Sequence, residues 1–260
     1  ETDFAPGALD AMRVNGQIIA YPLVLQPEML WADMDVLQQA GVIPTDMNWE
    51  ISTFVEAITQ VKDAGLADYG FGSQSDSRLN WIMLMMAYGG LPVDFSTTPA
   101  TVNLTDPTTQ EAIQLVLDLV KNGYIGENVN QATPPKTAGV MTETVFDVPY
   151  HLAQQANQTL EGNFRLMNYP TGSRYTPVSY LAQGASINPN SQNIEACYRW
   201  ISYLATRPEL MLGLQAQRSQ LDNPALTGVY GPQTVQTFRD YFALLDSPDA
   251  KMMPFYWTDD

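Results

Sequence analysis

The chain has 260 residues, 45% of them hydrophobic, enough to bury a substantial core in one large domain or two smaller ones. Acidic residues outnumber basic ones 28 to 12 for a net charge of −16, which repels phosphate backbones and anionic membrane surfaces and so argues against a nucleic-acid partner. The single cysteine, Cys197, excludes an internal disulfide and any multi-cysteine metal site, and no apolar run is long enough to span a bilayer directly.

Residues 1–14 show no clean periodicity and no signal-peptide pattern, so any export signal is expected to have been removed. After a turn at Gly16, Gln17–Tyr21 reads as a strand with no earlier strand to pair with. A proline-punctuated connection, a second apolar segment, a short amphipathic helix ending at Gly41 and a Pro–Trp loop to Trp49 follow. Phe54, Ala57, Ile58 and Val61 fall at helical spacing between Ser52 and Ala64, and Tyr69–Gly72 is a short strand ending in a polar loop. Arg78–Tyr88 is apolar nearly all round, the pattern of a buried helix.

Val102–Leu104 is expected as a strand. Asp106–Pro107 opens the most secure helix, with Thr108 and Glu111 spaced for a capping box and a stripe of Ala112, Ile113, Val116, Leu117 and Val120. Strands are expected at Gly139–Thr144, Asn163–Tyr169 and Tyr180–Ile187, and helices at Val148–Ala156, Ile194–Leu204, Leu210–Leu214 and from Gly231–Pro232 onward. Strands alternating with helices imply an α/β fold with a largely parallel sheet.

Catalytic and metal chemistry find little to work with. The only histidine, His151, lies in a helical pattern, and no G-x-S-x-G, phosphate loop or calcium loop is present, so no catalytic residue, metal or cofactor is assigned. The 28 acidic residues offer candidates for a facing pair of carboxylates, which keeps a carbohydrate-active hydrolase as the competing class.

The stretch Asn15–Trp49 resembles the lobe crossover of bacterial extracellular solute-binding proteins of family 1, the maltose-binding-protein-like receptors of ABC importers. Gly16, Ile19, Tyr21 and Pro22 match its strand, and Trp31, Asp33, Leu37, Ala40, Gly41, Pro44 and Trp49 its entry into the second lobe, with Ala32–Asp33 departing from the usual Tyr–Asn. Similar fragments recur in order: Tyr69–Gly72 with Trp81 and Tyr88–Gly90; Asp106–Pro107 with Glu111–Ala112 and Leu117–Val120; Ala138–Met141; Pro170–Gly172; and Gly184, Ile187, Ser191 with Glu195–Ala196.

The resemblance implies an α/β, periplasmic-binding-protein type II-like fold with one nearly complete lobe at 27–178, to which 246–260 returns. Residues 1–26 and 179–245 would supply hinge strands and part of the first lobe, most of which the chain lacks. It also implies a non-enzymatic, extracytoplasmic protein, periplasmic or a cell-surface lipoprotein, with a carbohydrate or similar polar solute as ligand and ABC permease subunits as partners. A sensory ligand-binding role shares these features. The implied cleft positions are Gln26, Glu28, Asp76, Arg78, Phe146, Asp147, Tyr150 and, in a terminal Met–Pro segment with Phe255, Tyr256 and Trp257. Aromatic faces there suit sugar CH surfaces, while polar edges meet hydroxyls.

Overall fold

The structure, a computed structural model, describes residues 2–42, 49–73, 77–126, 138–144, 147–157 and 163–254. In chain order it contains β1 (Arg13–Val14), β2 (Gln17–Ile18), β3 (Tyr21–Asp33), α1 (Met34–Gln39), α2 (Ile51–Asp63), β4 (Tyr69–Gly72), α3 (Ser77–Ala87), β5 (Val93–Asp94) and β6 (Thr101–Val102). There follow α4 (Pro107–Lys121), β7 (Ile125–Gly126), β8 (Ala138–Thr144), α5 (Val148–Ala156), β9 (Phe164–Met167), β10 (Thr176–Ala185), α6 (Ile194–Leu204), β11 (Leu214–Gln215), α7 (Pro224–Leu245) and β12 (Ala250–Pro254).

Strand β3 organises the rest. The prolines that suggest a broken connection sit inside one continuous 13-residue strand. A proline removes one ladder N–H, and each is placed where that loss is absorbed. Pro22 lies opposite Gly184, where the register of β10 shifts. Pro27 is the last residue paired with β10, opposite Tyr180, and from Glu28 onward β3 pairs with β8. The strand thus changes partners at its second proline.

The main sheet runs β12-β10-β3-β8-β4-β7, with β11 and β9 also on β3. Pairings β12–β10, β4–β8 and β4–β7 are parallel, whereas β3 is antiparallel to β8, β9, β10 and β11. The sheet is therefore mixed, not largely parallel as the alternating pattern suggests, because the crossover strand runs against its neighbours. The expectation of an unpaired Gln17–Tyr21 strand is also corrected. Arg13–Val14 pairs with Gln17–Ile18 around Asn15 and Gly16, whose φ values of 49° and 79° belong to a tight two-residue hairpin turn.

Three buried cores are strung along β3. Leu30 and Ala32 face the first, with α1, α2, α3 and α4. Leu25, Met29 and Trp31 face the second, with Leu226, Phe238 and Phe242 of α7. Leu23 and Val24 face the third, whose other buried members are Ile201 and Ala205. Helix α7 packs against α5, β9 and β10, although it falls in the 179–245 stretch.

Local signals account for most of the helices. In α2, Phe54, Ala57, Ile58 and Val61 are the buried face, and α2 approaches β4 so closely that a Cβ on Gly70 would lie 1.9 Å from the Ile58 carbonyl oxygen. Helix α4 is capped by Asp106, whose carboxylate accepts from Thr109 N at 2.9 Å, in place of the Thr108–Glu111 box. Its buried side chains are Thr109, Ala112, Val116 and Leu119; Leu117 is exposed, so the stripe is rotated from the expected one. The expected helix at Leu210–Leu214 is absent. Gly213 at φ 130° leads instead into β11, which pairs with Leu25 and Val24. Helix α7 begins seven residues before Gly231, the position where φ 76° and ψ 159° kink it ahead of Pro232.

Candidate functional site

Gln26 and Glu28 lie two apart on β3, hence on one face, and flank the proline where the strand changes partners. Both are buried, at 6% and 5% exposure. The Gln26 amide donates from Nε2 to the Leu212 carbonyl at 3.3 Å, and its buried Oε1 has no hydrogen-bond partner. Gly213 permits that approach, since a Cβ there would lie 2.7 Å from Nε2.

Around Glu28 the fold gathers polar side chains from three elements. Tyr169, just after β9, donates its hydroxyl to Asn80 Oδ1, and Asn80 in the first turns of α3 donates to Ser73 Oγ at 2.8 Å. Ser73 directly follows β4 and is fixed by its own N–H to the Gly126 carbonyl at 3.1 Å. Burial, and secondarily the negative charge of Glu28, push the Tyr169 phenol well above its usual range, so it stays a neutral donor. Thr142 on β8 and Asn168 after β9 are also buried. Thr142 and Met167 lie opposite Leu30 on the two sides of β3. Trp49 closes this region by donating Nε1–H to the Asn168 carbonyl at 3.2 Å.

Strand ends converge on the same level. Thr144 at the end of β8 pairs with Glu28, and Pro254 at the end of β12 pairs with Tyr180, itself opposite Pro27. Strand β4 runs parallel to β8, with Gly72 opposite Met141. The carboxyl ends of β8 and β12 therefore meet at Pro27–Glu28, with β4 ending on the same side at the level of Trp31, the kind of edge where α/β sheets hold ligands.

Of the sequence-derived positions, Gln26 and Glu28 are at this centre. Arg78 is in the first turn of α3 and exposed. Asp147 and Tyr150 open α5, three and six residues beyond Thr144; both are exposed, and the Tyr150 hydroxyl accepts from Gln154 Nε2 at 2.9 Å. Asp76, Phe146, Phe255, Tyr256 and Trp257 lie outside the described residues. Sequence reasoning missed Ser73, Asn80, Thr142, Asn168 and Tyr169. The readable trace was Asn80, a polar residue inside an otherwise apolar helical run.

Other chemistry is sparse. His151 packs its ring 5.9 Å from that of Trp31. Among the described residues no group of three or more His, Cys, Asp or Glu could hold a metal ion, and no helix is long and apolar enough to cross a membrane. An open groove of about 530 Å³ lies between α5 and the kink of α7, lined by Pro149, Leu152, Tyr230 and Pro232, and none of the buried polar groups above opens into it.

The fold is of the periplasmic-binding-protein type II kind, that of sugar-binding substrate-binding proteins of ABC transporters. The chain is similar to the maltose-bound MalE3 of T. maritima, with a TM-score of 0.71 at 18% identity over 98% of this chain and 67% of that one. It is similar to the GacH receptor of Streptomyces glaucescens, solved unliganded and with acarbose, with a TM-score of 0.69 at 18% identity over 97% of this chain and 64% of that one. It is also similar to UgpB of Mycobacterium tuberculosis in complex with glycerophosphocholine, with a TM-score of 0.70 at 17% identity over 97% and 64%. The chain thus spans about two thirds of the length of these proteins. No protein-family model and no curated sequence matches it.

Proposed function

We propose that the chain captures a carbohydrate or similar polar organic solute as the extracytoplasmic binding component of an ABC importer, working with permease subunits and performing no chemistry on its ligand. The observation that carries this reading is β3: one strand passes from the small third core to the large first core, with Gln26 and Glu28 buried between them. A strand joining two packing units is where hinge bending can close a cleft on a solute, and closure follows when ligand contacts favour the closed state. Residues 27–178 with the returning β12 make up the second lobe, and residues 1–26 and 179–245 the hinge and part of the first. The division blurs at α7, which packs on α5 and β9. The ligand positions in this reading are Gln26, Glu28, Asp76, Arg78, Phe146, Asp147, Tyr150, Tyr256 and Trp257; of these, Gln26 and Glu28 flank Pro27, where the ends of β8 and β12 meet β3 and β10.

The chain spans about two thirds of the length of the solved proteins it is similar to. Binding by this chain is accordingly expected to be weak, near millimolar. At ten times such a Kd, a bound sugar stabilises by about 1.4 kcal/mol and raises Tm by roughly 2–4 °C. A thermal-shift screen of neutral sugars, polyols and oligosaccharides measures this, and Gln26→Leu and Glu28→Leu should abolish the shift. Micromolar affinity would refute the weak-binding expectation. No shift with any solute, or turnover of chromogenic glycosides, would overturn the binding reading itself.

A further inference from the structure

Asn–Gly is the dipeptide in which no side chain obstructs attack of the following backbone nitrogen on the asparagine side chain. It occurs twice in the chain, at Asn15–Gly16 and Asn122–Gly123. Both asparagines are exposed, and a Cβ built on either glycine would meet nothing within 4 Å. Space therefore does not distinguish the two pairs, but hydrogen bonding does.

At the end of α4 the backbone is fully engaged. Asn122 N–H donates to the Asp118 carbonyl at 2.9 Å, Gly123 N–H to that of Val120 at 3.0 Å, and Tyr124 N–H to that of Leu119 at 2.9 Å. Val116 and Leu119, buried in the first core, hold this last turn in place. At Asn15–Gly16 the turn is looser. Arg13 Nη1 bonds the Gly16 carbonyl at 2.9 Å, and among the described residues nothing accepts from the Gly16 N–H. The turn joins β1 to β2, which form a two-stranded sheet of their own with only two paired positions, all four residues exposed. A hairpin of that size is marginally stable by itself, so it opens at little cost. Asn15, held at φ 49°, is then free to turn its side chain onto the next nitrogen.

We propose that Asn15 is a site of self-modification, losing its side-chain amide through a cyclic imide formed with the Gly16 nitrogen. The deprotonated Gly16 nitrogen attacks Asn15 Cγ; the N–Cγ bond forms, the Cγ–Nδ2 bond breaks and ammonia leaves. Solvent water then opens the ring. Cleavage of the N–Cγ bond restores the original backbone with an aspartate side chain, whereas cleavage at the main-chain carbonyl routes the backbone through Cβ as an isoaspartyl linkage. Neither route needs an oxidant or a second protein. Each product adds a negative charge, and the isoaspartyl form also lengthens a two-residue turn that sets Val14 opposite Gln17. The change stays within the hairpin, whose bond from Ile19 N–H to the Met12 carbonyl at 3.0 Å precedes β3. It is independent of the ligand reading, because Gln26 and Glu28 lie beyond it.

Incubation of the folded chain in mildly alkaline buffer, followed by peptide mass spectrometry, tests this. The peptide holding Asn15–Gly16 should gain about 1 Da and become a substrate for isoaspartyl methylation. Its rate should rise about tenfold per pH unit, since the attacking nitrogen must first lose its proton. The peptide holding Asn122–Gly123 should react at least about tenfold more slowly in the folded chain. In concentrated urea the two rates should converge, because the fold alone separates them. A folded chain whose two pairs react alike overturns the proposal. So does one in which Asn15 stays intact until urea unfolds it.

Discussion

A buried phenol needs an acceptor, and Tyr169 finds it across 89 residues in Asn80. Tyr169→Phe takes one hydrogen-bond donor from the buried Asn80 Oδ1 and should cost about 1–3 kcal/mol. Tyr150→Phe at the exposed start of α5 should stay within about 0.5 kcal/mol by urea unfolding. An equal cost for the two variants would mean that the Tyr169 bond adds nothing. Buried phenols also set an alkaline limit. Burial pushes Tyr230 up to about 12 from the ordinary 10.0, against the smaller opposing effect of the Gly213 N–H bond. Because the folded value is the higher one, the unfolded chain loses its proton first as pH rises. Stability should be unaffected below pH 10.0, fall by roughly 2–3 kcal/mol by about pH 12, and then level off for this group. Tyr169 and Tyr241 shift in the same direction, again chiefly through burial, and deepen the fall. Phenolate absorbance should rise together with loss of circular dichroism; buried tyrosines ionising well before unfolding would contradict this. Gln26 and Glu28 are singled out by the crossover pattern around them in sequence, and the structure buries both on one face of β3. Asn80 and Tyr169 are not singled out, since their meaning lies in a contact that no local window contains.

Helix α4 and strands β4, β8 and β9 stand where their patterns put them, whereas the continuity of β3 and the strand in place of a helix at Leu214–Gln215 depend on distant partners. Helix α4 carries its own start signal in Asp106–Pro107, and Asp106→Ala should cost about 1 kcal/mol through loss of the bond to Thr109 N. Its exact face was misread by part of a turn because the α3–α4 contact, not the periodicity, decides that Leu119 is buried and Leu117 is not. The prolines of β3 read as breaks because proline is a poor strand residue in isolation. Only the exchange of β10 for β8 at Pro27, and the register shift opposite Pro22, show why a strand accommodates them. Contact also explains Gly70, in the strand beneath α2. Gly70→Ala would drive a Cβ to 1.9 Å from the Ile58 carbonyl oxygen, backbone that cannot swing aside, and should destabilise by more than about 3 kcal/mol. Wild-type stability for that variant would mean that α2 does not lie so close to β4.

At the scale of the molecule, the three cores differ in size although one strand serves them all. Among the described residues the first and second each bury more than twenty side chains, the third four. Opening α6 exposes little apolar surface, whereas opening α2 exposes Phe54, Ala57, Ile58 and Val61 together. Local opening free energies follow buried apolar contact. Hydrogen exchange should therefore show residues 194–204 exchanging at least about tenfold faster than residues 51–63. Strand β3 should divide at Pro27, with slow amides from Met29 to Ala32, held between β8 and β9, and faster ones at Leu23 and Val24. Equal protection of α6 and α2 would mean that the chain opens as one unit and that β3 is a rigid beam. Such a beam could not act as the hinge that solute capture needs.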